Sequence, residues 1–146
     1  MKYYALIILI SVSMIGCQSK LHNKEKLLVL NSGDSKTKMK IEEVERNEKT
    51  SLLKLTYKKM GSSVGSSIFI MKAFYDIAKV KETEYFINLK EWDGKDGAHY
   101  YIAGFSNNKK LGIKQFGKDF TEKNKYNQKR IFMSISECKI LFGNKQ

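Results

Sequence analysis

Alternating apolar and polar residues predict a strand and a β-hairpin. Leu53, Leu55 and Tyr57 alternate with polar residues, which is the two-residue period of a strand with one buried face. Segments 85–92 and 98–105 alternate in the same way. The five residues between them are only Asp, Gly and Lys, which suit a tight turn. We therefore expect these two segments to pair as antiparallel neighbours.

A helical period replaces this alternation between the first strand and the hairpin. Across about 66–81, apolar residues such as Phe74 and Ile77 recur every three or four positions, as in an amphipathic helix. Ser66 or Ser67 is predicted to cap its start, because a serine hydroxyl accepts hydrogen bonds from the free amides of a first turn. The helix needs an apolar partner surface, and the sheet supplies one.

Weaker patterns surround these elements. Residues 27–30 form an apolar run of strand length, 39–48 fit neither period clearly, and 131–135 alternate again as a final strand. Residues 136–142 either extend that strand or form a short helix. The order of elements predicts an α+β domain, in which a mostly antiparallel sheet carries one main amphipathic helix on one face.

The N-terminus follows a different pattern, that of an export signal. One charged residue, Lys2, precedes an apolar run over 5–15, which is shorter than the roughly 20 residues of a transmembrane helix. The run ends at Gly16 and Cys17, and a polar stretch follows. This ending resembles the lipobox of bacterial lipoproteins, although Met14 stands where that motif more often has leucine.

The resemblance implies how the chain is processed. In bacterial lipoproteins the thiol of the lipobox cysteine is diacylated and the preceding signal peptide is removed. Residues 1–16 are then the signal peptide, the lipidated Cys17 begins a polar tether over 17–26, and 27–146 form one globular domain. Two acyl chains hold a protein stably on a membrane that it does not span. Gln18, in place of the aspartate typical of inner-membrane retention, implies the outer membrane in a Gram-negative host.

The chain has 2 cysteines, and acylation of Cys17 leaves Cys138 without an intramolecular partner. An exported protein meets an oxidising compartment, where paired cysteines form disulfides. We nevertheless expect Cys138 to be a small buried apolar residue rather than half of a disulfide or a reactive thiol.

Positive charge is concentrated outside the predicted core. The formal net charge is +12, yet residues 61–106 hold 5 basic and 6 acidic residues. The basic segment, which we define as residues 107–130, holds 8 basic and 2 acidic residues in an irregular pattern with room for short helical pieces. Such a segment attracts anionic lipid, lipopolysaccharide or peptidoglycan, whereas a lysine-biased genome would produce the same charge without a function. The candidate anion-binding residues are Lys109, Lys110, Lys114, Lys118, Lys123, Lys125, Lys129 and Arg130.

Residues 61–65, Gly-Ser-Ser-Val-Gly, match the G-x-S-x-G pattern and resemble the nucleophile elbow of α/β-hydrolases. The resemblance implies Ser63 as nucleophile, His99 as its base, and Asp93 or Asp96 as the acid that orients the imidazole. The match covers only these residues, such hydrolases are usually far longer, and the two acids lie 6 and 3 residues before the histidine. A flexible turn before a helix is therefore the favoured interpretation.

A metal site has little support from the sequence. Glu91, Asp93 and Asp96 lie close to His99 in the chain, which would suit a hard cation. Aspartate is nevertheless common in hairpin turns for backbone reasons, and the spacing fits no known metal-binding loop. We expect no metal and no other cofactor.

Aromatic residues cluster near the base of the hairpin. Trp92, Tyr100 and Tyr101 either pack across the strands or form an exposed surface that binds sugars or a partner protein. Packing is the favoured interpretation. The exposed surface remains an alternative.

These patterns favour a non-enzymatic, lipid-anchored protein of the cell envelope that serves as a binding or structural accessory. Its expected partners are the membrane and anionic envelope components. Nucleic acid is not expected, because an exported protein seldom meets it. The alternatives are a small serine hydrolase using Ser63 and a protein-binding accessory or inhibitor using the aromatic surface.

Overall fold

The computed structural model describes residues 26–32, 38–58, 63–120 and 131–143. In these ranges six strands form one sheet: β1 (Val29–Asn31), β2 (Met39–Arg46), β3 (Thr50–Tyr57), β4 (Tyr85–Asp93), β5 (His99–Ser106) and β6 (Met133–Ser134). Every neighbouring pair is antiparallel, and the order across the sheet is β1-β2-β3-β5-β4-β6. Two α-helices complete the fold: α1 (Ser63–Val80) and α2 (Ile135–Phe142). The predicted α+β class is confirmed.

The predicted hairpin forms from β4 and β5, with Phe86 opposite Phe105. On its other side β5 pairs with β3, where Leu53 lies opposite Tyr101. The chain therefore leaves β3, crosses the sheet as α1, and returns as β4 two positions away, with β5 between them. This crossover places apolar side chains of four strands, β2 to β5, beneath one helix.

The undecided stretch at 39–48 is largely a strand, β2. Met39, Ile41 and Glu43 are buried on the face that α1 covers, and an irregularity in the pairing follows Glu43. The alternation was hard to recognise because a charged residue occupies a buried position and a bulge then shifts the register.

Helix α1 packs its predicted apolar face onto the sheet. The Phe74 ring meets the rings of Phe86 and Tyr101 edge to face, with centroids 6.0 and 6.1 Å apart. The helix begins at Ser63, earlier than expected, so Ser66 and Ser67 lie inside its first turns and the prediction that one of them caps it was wrong. A helix start depends on the local backbone, which serine content alone does not locate.

The predicted final strand is shorter than expected. Only Met133 and Ser134 pair with β4, and α2 begins at Ile135. The Ser134 hydroxyl accepts from the Glu137 amide at 3.1 Å while the Glu137 carboxylate accepts from the Ser134 amide at 3.3 Å. This reciprocal capping box starts a helix and ends the strand.

Cys138 faces inward from α2 and is 1% exposed, which confirms the predicted burial. Burial, followed by the neighbouring Glu137 carboxylate, raises the pKa of its thiol. A raised pKa lowers the thiolate fraction, and the thiolate is the reactive form of cysteine.

Across the described ranges, no helix combines the length and the apolar composition needed to cross a bilayer. The predicted signal peptide over 1–16 and nearly all of the tether over 17–26 lie outside those ranges.

Candidate functional site

The described part of the basic segment covers one end of the sheet face opposite to α1, which we call the second face. It forms three short 3-10 helices at Lys109–Leu111, Ile113–Phe116 and Lys118–Phe120. The predicted short helical pieces are therefore present up to residue 120. Residues 121–130 lie outside the described part of the chain.

Gln115 holds the segment's own loops together and fastens them to β5. Its side-chain amide donates to the carbonyls of Asn108 at 3.2 Å and Gly112 at 2.8 Å. Its side-chain oxygen accepts from the hydroxyl of Ser106 at 2.5 Å. The Gln115 side chain thus bonds three partners and holds the backbone of the segment in place, and none of these bonds involves a lysine.

Phe116 anchors the same segment on the second face. A methyl group added at Gly104 would lie 2.8 Å from the Phe116 ring and 2.9 Å from Leu89, so the ring occupies the space that only a glycine leaves open. The Phe132 ring stacks on the Phe116 ring, with the two ring centroids 6.2 Å apart. Together with the fully buried Ile87 and Leu89, these rings form a small apolar cluster apart from the core beneath α1.

The lysines of this anchored segment point into solvent. Lys109, Lys110, Lys114 and Lys118 are all exposed, and the Lys109 ammonium lies 5.3 Å from the centroid of the Tyr85 ring. Among the described residues, no salt bridge involves Lys109, Lys110 or Lys114. Their charge is thus available to an external anion. The other four candidates lie outside the described residues: Lys123, Lys125, Lys129 and Arg130.

The hydrolase candidates are only partly brought together. His99 Nδ1 lies 2.7 Å from Asp93 Oδ1 across the end of the hairpin, so Asp93 is the acid that contacts the imidazole. Asp96 instead accepts from Lys54 Nζ at 2.7 Å and from the Tyr100 hydroxyl at 2.9 Å.

The candidate nucleophile, Ser63, lies at the start of α1. Ser63 is the first residue of α1, and its side chain lies outside the described part of the structure, as do Gly61 and Ser62. The early turns of α1 lie near β2, where Ser66 Oγ is 3.4 Å from Met39 Sδ. The serine-hydrolase alternative therefore stays a prediction.

The Asp96 carboxylate is held within the hairpin by an ion pair and by hydrogen bonds. Bonds from Lys54, Tyr100 and the Ala98 amide lower the pKa of its carboxyl to about 2, and the same carboxylate raises the pKa of Lys54. Across residues 26–32, 38–58, 63–120 and 131–143, no three His, Cys, Asp or Glu side chains are grouped as metal ligands.

Trp92 and Tyr100 form a cross-strand pair on the second face. Their rings stack at an angle of 11° with centroids 5.4 Å apart. The Lys54 ammonium lies over the Tyr100 ring at 5.8 Å, and the Lys90 ammonium lies over the Trp92 ring at 5.6 Å. Since these aromatic faces already have partners, the arrangement matches the packing interpretation.

Tyr101 does not belong to that surface. It lies on the α1 side of the sheet and is 8% exposed, because neighbouring residues of a strand point to opposite faces. Burial, followed by the carboxylates of Glu91 and Asp93, raises the pKa of its phenol. The alternative aromatic surface would therefore consist of Trp92 and Tyr100 without Tyr101.

A buried ion pair near the tether was missed by the sequence analysis. Glu43, which is buried, accepts from Arg46 Nε at 2.8 Å and from the Leu28 amide at 3.1 Å, and the Arg46 guanidinium makes a second contact to the same carboxylate. Burial raises the pKa of this carboxyl, but the bonds from Arg46 and Leu28 outweigh it, and the net shift is downward. The pair thereby holds the chain just before β1 against β2.

Comparison of the chain with protein-family models, with curated proteins and with solved structures gives no match.

Proposed function

We propose that this protein is a non-enzymatic, lipid-anchored component of the cell envelope whose basic segment contacts anionic envelope material. The observation that carries the proposal is the exposure of Lys109, Lys110, Lys114 and Lys118 on a segment anchored through Phe116 and Gln115. The anchoring side chains are separate from the charged ones. Lys109, Lys110 and Lys114 can therefore bind an anion while the segment stays anchored.

Anchoring also favours binding on entropic grounds. A flexible basic tail loses backbone freedom when it settles on a surface, at a cost of roughly 1–2 kcal/mol per ordered residue. A segment that is already held by the Ser106–Gln115 bond and the Phe116 contact loses less backbone freedom on binding. Each lysine close to an anionic membrane contributes about 1 kcal/mol. A few such lysines support reversible binding that weakens as salt screens the charges.

In this proposal the lipid anchor places the protein at a membrane. It rests on the lipobox-like ending at Gly16 and Cys17. A polar tether over 17–26 would reach about 30 Å when extended, which lets the domain turn any face towards the membrane. In a Gram-negative host, Gln18 favours the outer membrane.

Replacing Cys17 with serine tests the anchor. We expect the wild-type chain to incorporate labelled fatty acid and to sediment with membranes, and Cys17→Ser to do neither, because serine carries no thiol for acylation. Cys138→Ser is the matched control and should keep the label, since that thiol is buried in α2. A mature N-terminus before residue 17, or label retained in Cys17→Ser, would contradict the assignment.

Neutralising the described lysines tests the binding role. The mature chain without its lipid, residues 17–146 carrying Cys17→Ser, should co-sediment with vesicles containing phosphatidylglycerol at low salt and be released as salt rises. Changing the four exposed lysines of the basic segment to glutamine should weaken binding by about tenfold or more. A matched variant changes four exposed lysines elsewhere to glutamine: Lys49, Lys58, Lys95 and Lys139.

The two variants have equal net charge, so they separate position from total charge. Stronger binding by the matched variant than by the basic-segment variant supports the proposal. Equal loss in both would mean that only net charge matters. Absence of binding to vesicles, lipopolysaccharide and peptidoglycan at low salt would refute a role for the segment.

A further inference from the structure

The described part of the basic segment exposes a large apolar side chain among its lysines. Leu111, which directly follows Lys109 and Lys110, is 58% exposed. Ile131, the residue after the basic segment, is 61% exposed. Neither belongs to the apolar cluster or the main core. Other apolar side chains of the protein are exposed too, but Leu111 directly follows two exposed lysines that form no salt bridge within the described residues.

We propose that Leu111 inserts into the headgroup region of an anionic phospholipid bilayer, with Lys109, Lys110 and Lys114 contacting lipid phosphates around it. The proposal rests on the proposed function, because the lipid anchor keeps the domain within reach of the membrane. It adds to that function by naming the surface that the basic segment recognises and the side chain that enters it.

The chemistry of the segment favours a bilayer over a dissolved polymer. Interfacial membrane segments combine lysines, whose ammonium groups bind lipid phosphates, with leucine or isoleucine side chains that enter the acyl boundary. The long lysine stems allow the charge to stay at headgroup level while the neighbouring apolar side chain goes deeper. A glycan or a soluble phosphate offers no apolar layer for Leu111.

The placement on the sheet also gives the domain an orientation. The described part of the basic segment covers one end of the second face, whereas α1 and α2 cover the other face. Contact through Leu111 therefore turns the second face towards the bilayer and the helices away from it. Ile140 on α2 is even more exposed, at 81%, and provides an internal reference on the side that should stay in water.

The test measures the environment of each position in the mature lipidated protein, reconstituted into vesicles of phosphatidylethanolamine and phosphatidylglycerol. Leu111→Cys and Ile140→Cys, each in a Cys138→Ala background, are labelled with an environment-sensitive nitrobenzoxadiazole dye. We expect a blue shift of the dye at 111 and its quenching by spin-labelled lipid, and neither change at 140. Changing Lys109, Lys110 and Lys114 to glutamine should abolish both signals at 111.

The outcomes separate this inference from the function on which it rests. If the dye at 111 stays in water while the lysine-dependent, salt-sensitive binding persists, the bilayer insertion is overturned and the proposed function stands. A signal at 111 that appears only after lipopolysaccharide is added overturns the phospholipid assignment. Equal signals at 111 and 140 overturn the orientation. If neither binding nor insertion occurs, both proposals fall.

Discussion

Replacing Glu43 with glutamine is expected to lower the free energy of unfolding by about 3 kcal/mol. The change keeps the shape of the side chain but removes the charge that compensates Arg46. It also weakens the bond at 3.1 Å to the Leu28 amide, so the start of β1 should loosen. The estimate lies at the lower end of the range for breaking a buried pair, because Arg46 keeps some access to water. Urea denaturation followed by circular dichroism measures it.

The matched control is Glu42→Gln on the same strand. Glu42 pairs with Lys40 at 2.7 Å, but both side chains are accessible to solvent, so the expected loss is below about 1 kcal/mol. Equal losses in the two variants would show that burial does not strengthen the Glu43 pair. Faster hydrogen exchange at residues 28–31 in Glu43→Gln alone would link the pair to β1.

The same pair gives a defined dependence on pH. The pKa of Glu43 is lower in the folded chain than its ordinary value of 4.5. Its contribution to stability is therefore complete above about pH 4.5 and is lost as the pH falls through the folded-state value. Glu43→Gln should show a smaller loss of stability than the wild type across that acid range. If the free energy of unfolding of Glu43→Gln and of the wild type depended on acid pH in the same way, other carboxyl groups would determine the loss of stability in acid.

Replacing Gly104 with valine is expected to lower the free energy of unfolding by about 1–3 kcal/mol and to weaken vesicle binding, although no charge changes. The added side chain would collide with the Phe116 ring at 2.8 Å and with Leu89 at 2.9 Å. Valine itself suits a strand, so a loss of stability reports the collision and not the local backbone preference. We expect the Phe116 ring to be displaced by the valine, and its displacement would release the basic segment from the sheet.

A double-mutant cycle identifies the colliding side chain. Phe116→Ala should cost stability alone but restore part of the stability lost in Gly104→Val, because the smaller side chain makes room for valine. Additive losses would show that the Phe116 ring does not occupy that space. Vesicle binding by the double variant then tells whether the position of the segment or only its charge matters.

Periodicity was sufficient for the elements with a regular pattern. The alternation in β3, β4 and β5 and the helical spacing around Phe74 and Ile77 predicted those elements correctly, although β4 buries residues on both of its faces. The capping box of Ser134 and Glu137 was also visible as a serine and a glutamate three residues apart. That spacing is typical of a helix N-terminus and therefore favours a helix after Ser134. The two-residue period would likewise have separated Tyr100 from Tyr101.

Other features depended on contacts between distant parts of the chain. Glu43 is buried together with its bonds to Arg46 and to the Leu28 amide, and that amide lies just before β1, distant in the chain. The choice of Asp93 over Asp96 as the partner of His99 follows from strand register.

The amino-acid sequence by itself determined the α+β class, the main helix, the hairpin and the position of the basic segment along the chain, since these follow from local period and composition. Only the tertiary structure decided that Phe116 enters the space above Gly104 and that Lys109, Lys110 and Leu111 are left facing solvent. The lack of a side chain at Gly104 does not indicate locally which residue will fill the space. That becomes clear only when the fold brings the distant Phe116 ring to it.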